Sequence, residues 1–223
     1  MPDTNAVFLS HVLSELTPAY GGGQGLAVQP ATRISGGATA NSDVWTLPNH
    51  LGTHIDFPLH FYDEGAGAHE YDAGFWKFTQ PQIVDVPLQA GGLVETKHVQ
   101  GILREGTDFL LIRTGFERHR AGSLYWENNP GISPELALWL RMKAGSLRVL
   151  GIDAISITCR TRRPEGKKAH EIFLDPRGNG SPILLAEDMC LAHAPEKLSS
   201  VLVAPLRVLG ANGTPCTIVG FTA

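Results

Sequence analysis

Six short apolar runs constrain the fold of this chain more than any other feature. They cover residues 7–9, 82–86, 109–112, 149–152, 201–203 and 217–221, and each is bounded by Gly, Pro, Asp or Asn. Their length and their β-branched content read as strands. One helix is well marked: Ser133 can cap it, Pro134 fits its first position, and Glu135 complements the positive end of its dipole. Leu136, Trp139 and Leu140 then make an apolar stripe, Lys143 falls in the last turn, and Gly145 can supply a left-handed stop. Weaker helical signals cover 96–103 and the stretch after Glu187. Strands with few helices predict a mixed α/β (α+β) fold, and the sequence does not order the strands.

Nothing divides the chain. It has 223 residues, no internal repeat and no linker, which suits a single domain over 1–223 that buries roughly 70% of its unfolded surface. Lys and Arg number 18 against 22 Asp and Glu, for a net charge of −4, which argues against a nucleic-acid partner. No run approaches the ~18 apolar residues of a membrane span, and residues 1–6 lack the basic start of a leader peptide. Cys159, Cys190 and Cys216 form no C-x-x-C pair, so neither a disulfide framework nor a zinc ribbon is expected. Cytoplasmic residence is the expectation.

Histidine use is the oddity. Three of the nine, His50, His54 and His60, fall within eleven positions, in Asn49-His50-Leu51-Gly52-Thr53-His54-Ile55-Asp56-Phe57-Pro58-Leu59-His60. His50, His54 and Asp56 are imidazole and carboxylate ligands suited to Zn²⁺, Mn²⁺ or Fe²⁺, and no thiolate is near. Two histidines and one carboxylate leave coordination positions open, as a catalytic metal site requires. Pro58 places the group at a helical turn or loop leading into extended chain, and Gly52 permits a sharp bend between the histidines.

The string His50-x-Gly52-Thr53-His54-x-Asp56-x-Pro58-x-His60 resembles the signature of the cyclase family of metal-dependent hydrolases, which includes bacterial-type kynurenine formamidases and isatin hydrolases. Ser10-His11, the segment from Gly151 to Ile157, and Ala204-Pro205-Leu206 resemble further landmarks of that family. The resemblance implies a swivelling β/β/α cyclase-like fold, a homodimer, and a centre of one or two divalent ions, Zn or Mn. It implies that His50, His54 and Asp56 are metal ligands and that His60 is the catalytic histidine. A second ion would be shared by Asp56 with His170 and Glu187. Glu171 is a rival carboxylate, and the Gly-, Pro- and Asn-rich residues 175–182 look like an extension between the two later ligands.

The glycine-rich stretch over 20–40 reads as a surface loop, or as a cover for a pocket, with Tyr20 able to close over it. The basic run over 160–168 reads first as a solvated loop and second as an attractor of anionic substrate. Most aromatics after the motif read as core, with Phe61 a candidate wall for a flat substrate. The expected activity is metal-dependent hydrolysis of a C–N bond in a small amide, aryl formamide or lactam. The alternatives are a lactone or polyketide cyclase/hydrolase and a non-catalytic metal-binding regulatory protein.

Overall fold

The protein is described by a computed structural model covering residues 5–223. Residues 1–4, on which the expected lack of a leader partly rests, lie outside it. The strands are β1 (Ala6–Phe8), β2 (Ala27–Thr32), β3 (Ser42–Thr46), β4 (His54–Asp56), β5 (Lys77–Phe78), β6 (Pro81–Asp85), β7 (Leu93–Val94), β8 (Phe109–Arg113), β9 (Gly131–Ile132), β10 (Val149–Ile152), β11 (Leu184–Glu187), β12 (Ser200–Pro205) and β13 (Gly213–Phe221). The helices are α1 (Leu124–Glu127), α2 (Pro134–Lys143) and α3 (Arg163–Leu174). All six runs read as strands are strands, and the mixed α/β class holds.

One nine-stranded sheet dominates the described residues, in the order β5-β12-β13-β4-β11-β10-β8-β6, with β1 also pairing β13. Strands β6, β8, β10 and β11 run parallel to one another, and most of their residues are buried, as expected where helices cover a sheet. Antiparallel pairing begins at β4, which lies between β11 and β13. The short β4 therefore sits at the seam between the two halves, beside the carboxyl ends of β10 and β11, where open α/β sheets place their ligands.

Helix α2 begins as expected: the Ser133 side chain accepts from the Leu136 amide. Its end differs, because the cap is Ala144 and Gly145 does not take a left-handed conformation. The 96–103 signal yields only a 3₁₀ turn over Thr96–His98. No helix follows Glu187; Asp188 turns left-handed (φ 51°), and the chain runs on to bridge Met189 with Ser10. The glycine-rich stretch is partly ordered as the exposed hairpin β2–β3. No helix among the described residues is long and apolar enough to cross a membrane.

Helix α3 corrects the loop reading of the basic run. Pro164 sits in its first turn, and its inner stripe is Gly166, Ala169, His170, Phe173 and Leu174, the i, i+3, i+4, i+7, i+8 pattern of a half-buried helix. Residues 175–182 then lead into β11. Arg141 of α2 fixes the start of that link by donating to the carbonyls of Ile172, Phe173, Asp175, Asn179 and Gly180.

Candidate metal centre

Strand β4 supplies the centre of the site. Alternation puts His54 and Asp56 on one face and Ile55 in the core on the other. The expected turn or loop for these ligands is thus a strand, and the turn comes later, as the 3₁₀ segment Pro58–His60. Both His54 and Asp56 are buried, which is costly for polar groups unless partners converge on them.

Partners do converge. Antiparallel register sets Glu187 of β11 opposite His54, and its Oε2 lies 3.5 Å from His54 Nε2. Helix α3 delivers His170, whose Nε2 is 3.5 Å from Asp56 Oδ2 and 3.4 Å from Glu187 Oε1. His50 enters from the turn before β4, where Gly52 adopts a φ of 67° that other residues rarely take. Its Nδ1 lies 2.7 Å from Asp56 Oδ1. Glu187 is held in place by the Ser156 hydroxyl at 3.0 Å and the Ile157 amide at 2.7 Å. Glu171 is not among the converging groups and pairs instead with Lys167 and Lys168.

The hydrogen-bond network assigns the tautomers. His54 Nδ1 donates to the Gly52 carbonyl at 2.8 Å, and His170 Nδ1 donates to the Gly166 carbonyl at 2.9 Å. His50 Nε2 donates to Asn212 Oδ1, which also accepts from the Asn49 amide. The remaining nitrogen of each ring therefore turns a lone pair toward carboxylate oxygens. Acceptors facing acceptors need cations between them, either protons or a metal. With protons alone, burial opposes charge throughout the group, yet the carboxylates outweigh it at the rings. His54 is held well above the usual histidine value and His170 is raised to about 10. Burial likewise pushes both carboxyls up, but the imidazoles bring Glu187 down to about 2 and Asp56 well below its usual range. This N/O donor set without sulfur fits a divalent metal ion.

Two ligand groups share Asp56. Donor atoms of His54, Asp56 and Glu187 lie within 4.8 Å of one another, as do those of His50, Asp56 and His60. His60 is exposed to the pocket, and its ring lies over that of His50 with centroids 4.2 Å apart. Desolvation by the surrounding protein lowers its pKa, assisted by His50 and His170 against the pull of Asp56.

A cavity of about 700 Å³ opens over these groups. Phe61 forms one wall, stacked on His170 with centroids 5.0 Å apart and planes 15° from parallel. Tyr20 lines another part, and its hydroxyl is buried without a hydrogen-bond partner among the described residues. The structure thus brings His50, His54, Asp56, His60, Phe61, His170, Glu187 and Tyr20 to one cavity. Sequence reasoning gave Asn212 no role, noted Ser156 only within the 151–157 landmark, and read Arg163 and Lys167 only as part of a basic run, first as solvated loop and second as an attractor of anionic substrate. The i, i+4 spacing of Arg163 and Lys167 was the available signal for one helix face; nothing around Asn212 marks it.

Residues 7–158 match the family model described as "Putative cyclase". The chain belongs to the cyclase family. Similarity to other cyclase-family members runs along most of its length. It is 25% identical over 211 residues to the kynurenine formamidase of Delftia acidovorans, spanning 95% of this chain and 94% of that relative. It is 27% identical over 219 residues to cyclase-like protein 2 of Arabidopsis thaliana, spanning 93% and 75%. Isatin hydrolase A from Labrenzia aggregata, solved with benzyl benzoate bound, superposes with a TM-score of 0.82 at 18% identity, covering 98% of this chain and 94% of that one. That likeness carries the cyclase-family fold.

Proposed function

We propose that this protein is a metal-dependent hydrolase of a carbon–nitrogen bond in a small amide, aryl formamide or cyclic lactam. The observation that carries the reading is the convergence of three imidazole lone pairs on two buried carboxylates at the floor of an open cavity. Similarity to a kynurenine formamidase along nearly the whole chain supports the bond type.

In this reading His50, His54 and Asp56 would hold a first ion, Zn²⁺ or Mn²⁺, and His170 and Glu187, together with Asp56, would hold a second. A bound divalent ion supplies Lewis acidity, polarising a carbonyl and lowering the pKa of water from about 15.7 toward ~7 in favourable zinc sites. His60 stands on the open side of the ligand group, and its lowered pKa keeps the ring neutral and able to accept a proton near pH 7. It passes that proton to the departing amine, help worth roughly 10²–10⁴ in rate. Phe61 and Tyr20 flank the flat part of the substrate. Arg163 and Lys167, at the same cavity, favour substrates that carry an anionic group.

Lactone or polyketide ring opening remains the alternative chemistry for the same groups, and a non-catalytic metal-binding role is the alternative from another class. A base beside the ligands and a substrate-sized cavity favour turnover. We further assign a homodimer. Phe8, Val12, Trp45 and Leu206 line an apolar groove, with Val12 86% and Trp45 69% exposed, and a second copy would cover it. Free thiols at Cys159, Cys190 and Cys216 suit a reducing cytoplasm.

The deciding experiment is elemental analysis of untreated protein, followed by assays on N-formyl aryl amines, isatin and lactones. Bound Zn or Mn with C–N hydrolysis supports the proposal. Lactone turnover alone selects the alternative chemistry, and bound metal with no turnover on any substrate selects the regulatory reading.

A further inference from the structure

A second cluster of metal-type ligands stands apart from the centre described above and shares no residue with it. His11, Glu117 and Cys190 come from three separate segments, yet one nitrogen, one oxygen and one sulfur lie within 4.8 Å of each other. The chain fixes each of them. Ser10 bridges Met189 and the Cys190 amide donates to the Leu9 carbonyl at 3.0 Å, which holds the N-terminal strand against the segment after β11. The His11 amide donates to Thr53 Oγ1 at 2.9 Å. Glu117, in the 3₁₀ turn Phe116–His119, accepts the Leu191 and Ala192 amides on Oε2 at 2.8 and 2.7 Å.

That anchoring turns the other carboxylate oxygen inward. Glu117 Oε1 lies 3.6 Å from His11 Nε2, too far for a hydrogen bond. His11 Nε2 is nevertheless buried with no partner among the described residues. A separation of 3.6 Å is close to the ~3.5 Å between ligand atoms of a tetrahedral ion with bonds of about 2.1 Å. We propose that His11, Glu117 and Cys190 form a second metal site, independent of the catalytic centre, for a thiophilic divalent cation such as Zn²⁺.

A Cys–His–Glu group also invites comparison with a nucleophilic triad, and the electrostatics oppose that use. Burial and the Glu117 carboxylate push the Cys190 thiol up to about 12, and burial lowers His11. A nucleophilic cysteine needs the opposite field. A cation reverses it by replacing the thiol proton, and thiolate plus carboxylate then balance a double positive charge. The nearby Arg120 is neutralised by a two-point pairing with Asp188, with Nε 2.9 Å from Oδ1 and Nη2 2.7 Å from Oδ2. Cys190 is partly exposed, which leaves the fourth position to water. The ion would tie the N-terminal strand to the segment that follows Glu187.

The test uses Co²⁺ and Zn²⁺ on the intact protein and on Cys190→Ser and His11→Gln. Cobalt loading should give a sulfur-to-cobalt charge-transfer absorption, since no thiolate belongs to the catalytic group. That band should vanish in Cys190→Ser while the hydrolase site still binds metal, and zinc content should fall by one ion per chain. The band should persist in His54→Ala, so failure of the catalytic reading leaves this test intact. If Cys190→Ser does not fold, His11→Gln carries the same comparison through loss of one zinc. A band that survives Cys190→Ser, no band at all, or equal zinc content in wild type and both variants overturns the proposal.

Discussion

A β-carbon on Gly213 would overlap the His50 ring, and β13 sets Gly213 directly opposite Asp56. The missing side chain is therefore what lets His50 lie against that carboxylate. Gly213→Ala should displace the ring and weaken metal affinity by about 10–100-fold, the usual cost of disturbing a ligand's support. Gly213 has no positive φ, so the backbone tolerates alanine and the strand should survive. Calorimetric titration with Zn²⁺, beside a thermal melt of the metal-free protein, checks both halves of this expectation.

Arg141 is buried without a carboxylate partner among the described residues, and two carbonyls at the end of α3 and three in the α3–β11 link accept from its guanidinium. Arg141→Met should leave those carbonyls unsatisfied at a cost of about 3 kcal/mol or more. For a chain of this size that is a fall of roughly 6–12 °C in Tm. Arg141→Lys, with three donors on a flexible stem, should recover only part of it. Equal melting of wild type and Arg141→Met would show that the link is held some other way.

The ligands were legible where chemistry is local and obscure where it depends on packing. His50, His54 and Asp56 share one short string, so residue type and spacing announce them. Strand β4 did not announce itself, because it is three residues long and two of them are polar on a buried face, the reverse of ordinary strand patterning. Helix α3 was hidden for a related reason: its inner stripe carries Gly166 and His170 where a helix usually shows large apolar residues. Hairpin β2–β3 read as a loop because both strands are largely exposed, so burial imposes no alternation on them. Asn212 orients His50 from across the sheet, a contact that only strand order creates.

Metal uptake should be coupled to proton release. In the metal-free protein the Asp56 and Glu187 carboxylates outweigh burial, raising His170 to about 10 and His54 well above its usual value, so at neutral pH both rings hold protons that a cation must displace. Affinity for Zn²⁺ should therefore fall as pH falls and rise with pH up to about 10. The linkage to stability has the same origin. A ring whose folded pKa is raised contributes stability that is fully present below about 6.5 and is lost as pH climbs through about 10. Chelator-treated protein should thus lose stability toward alkaline pH more steeply than metal-loaded protein. Titration calorimetry in buffers of different ionisation enthalpy counts the released protons, and a buffer-independent heat would contradict this account.

His60 and His54 separate base from ligand. His54 is buried against Asp56 and Glu187, whereas His60 is open to the cavity, with its ring over that of His50. His60→Ala should keep metal content near wild type and lower kcat by about 10²-fold or more, with folding stability little changed. His54→Ala should lose metal and activity together, because it removes a lone pair that neither carboxylate can replace. The geometry also makes the opposite outcome informative: donor atoms of His50, Asp56 and His60 are close enough to share an ion. If His60→Ala loses metal as His54→Ala does, His60 is a ligand and the proton must travel by another group. Full activity in His60→Ala would remove the histidine from the chemistry altogether.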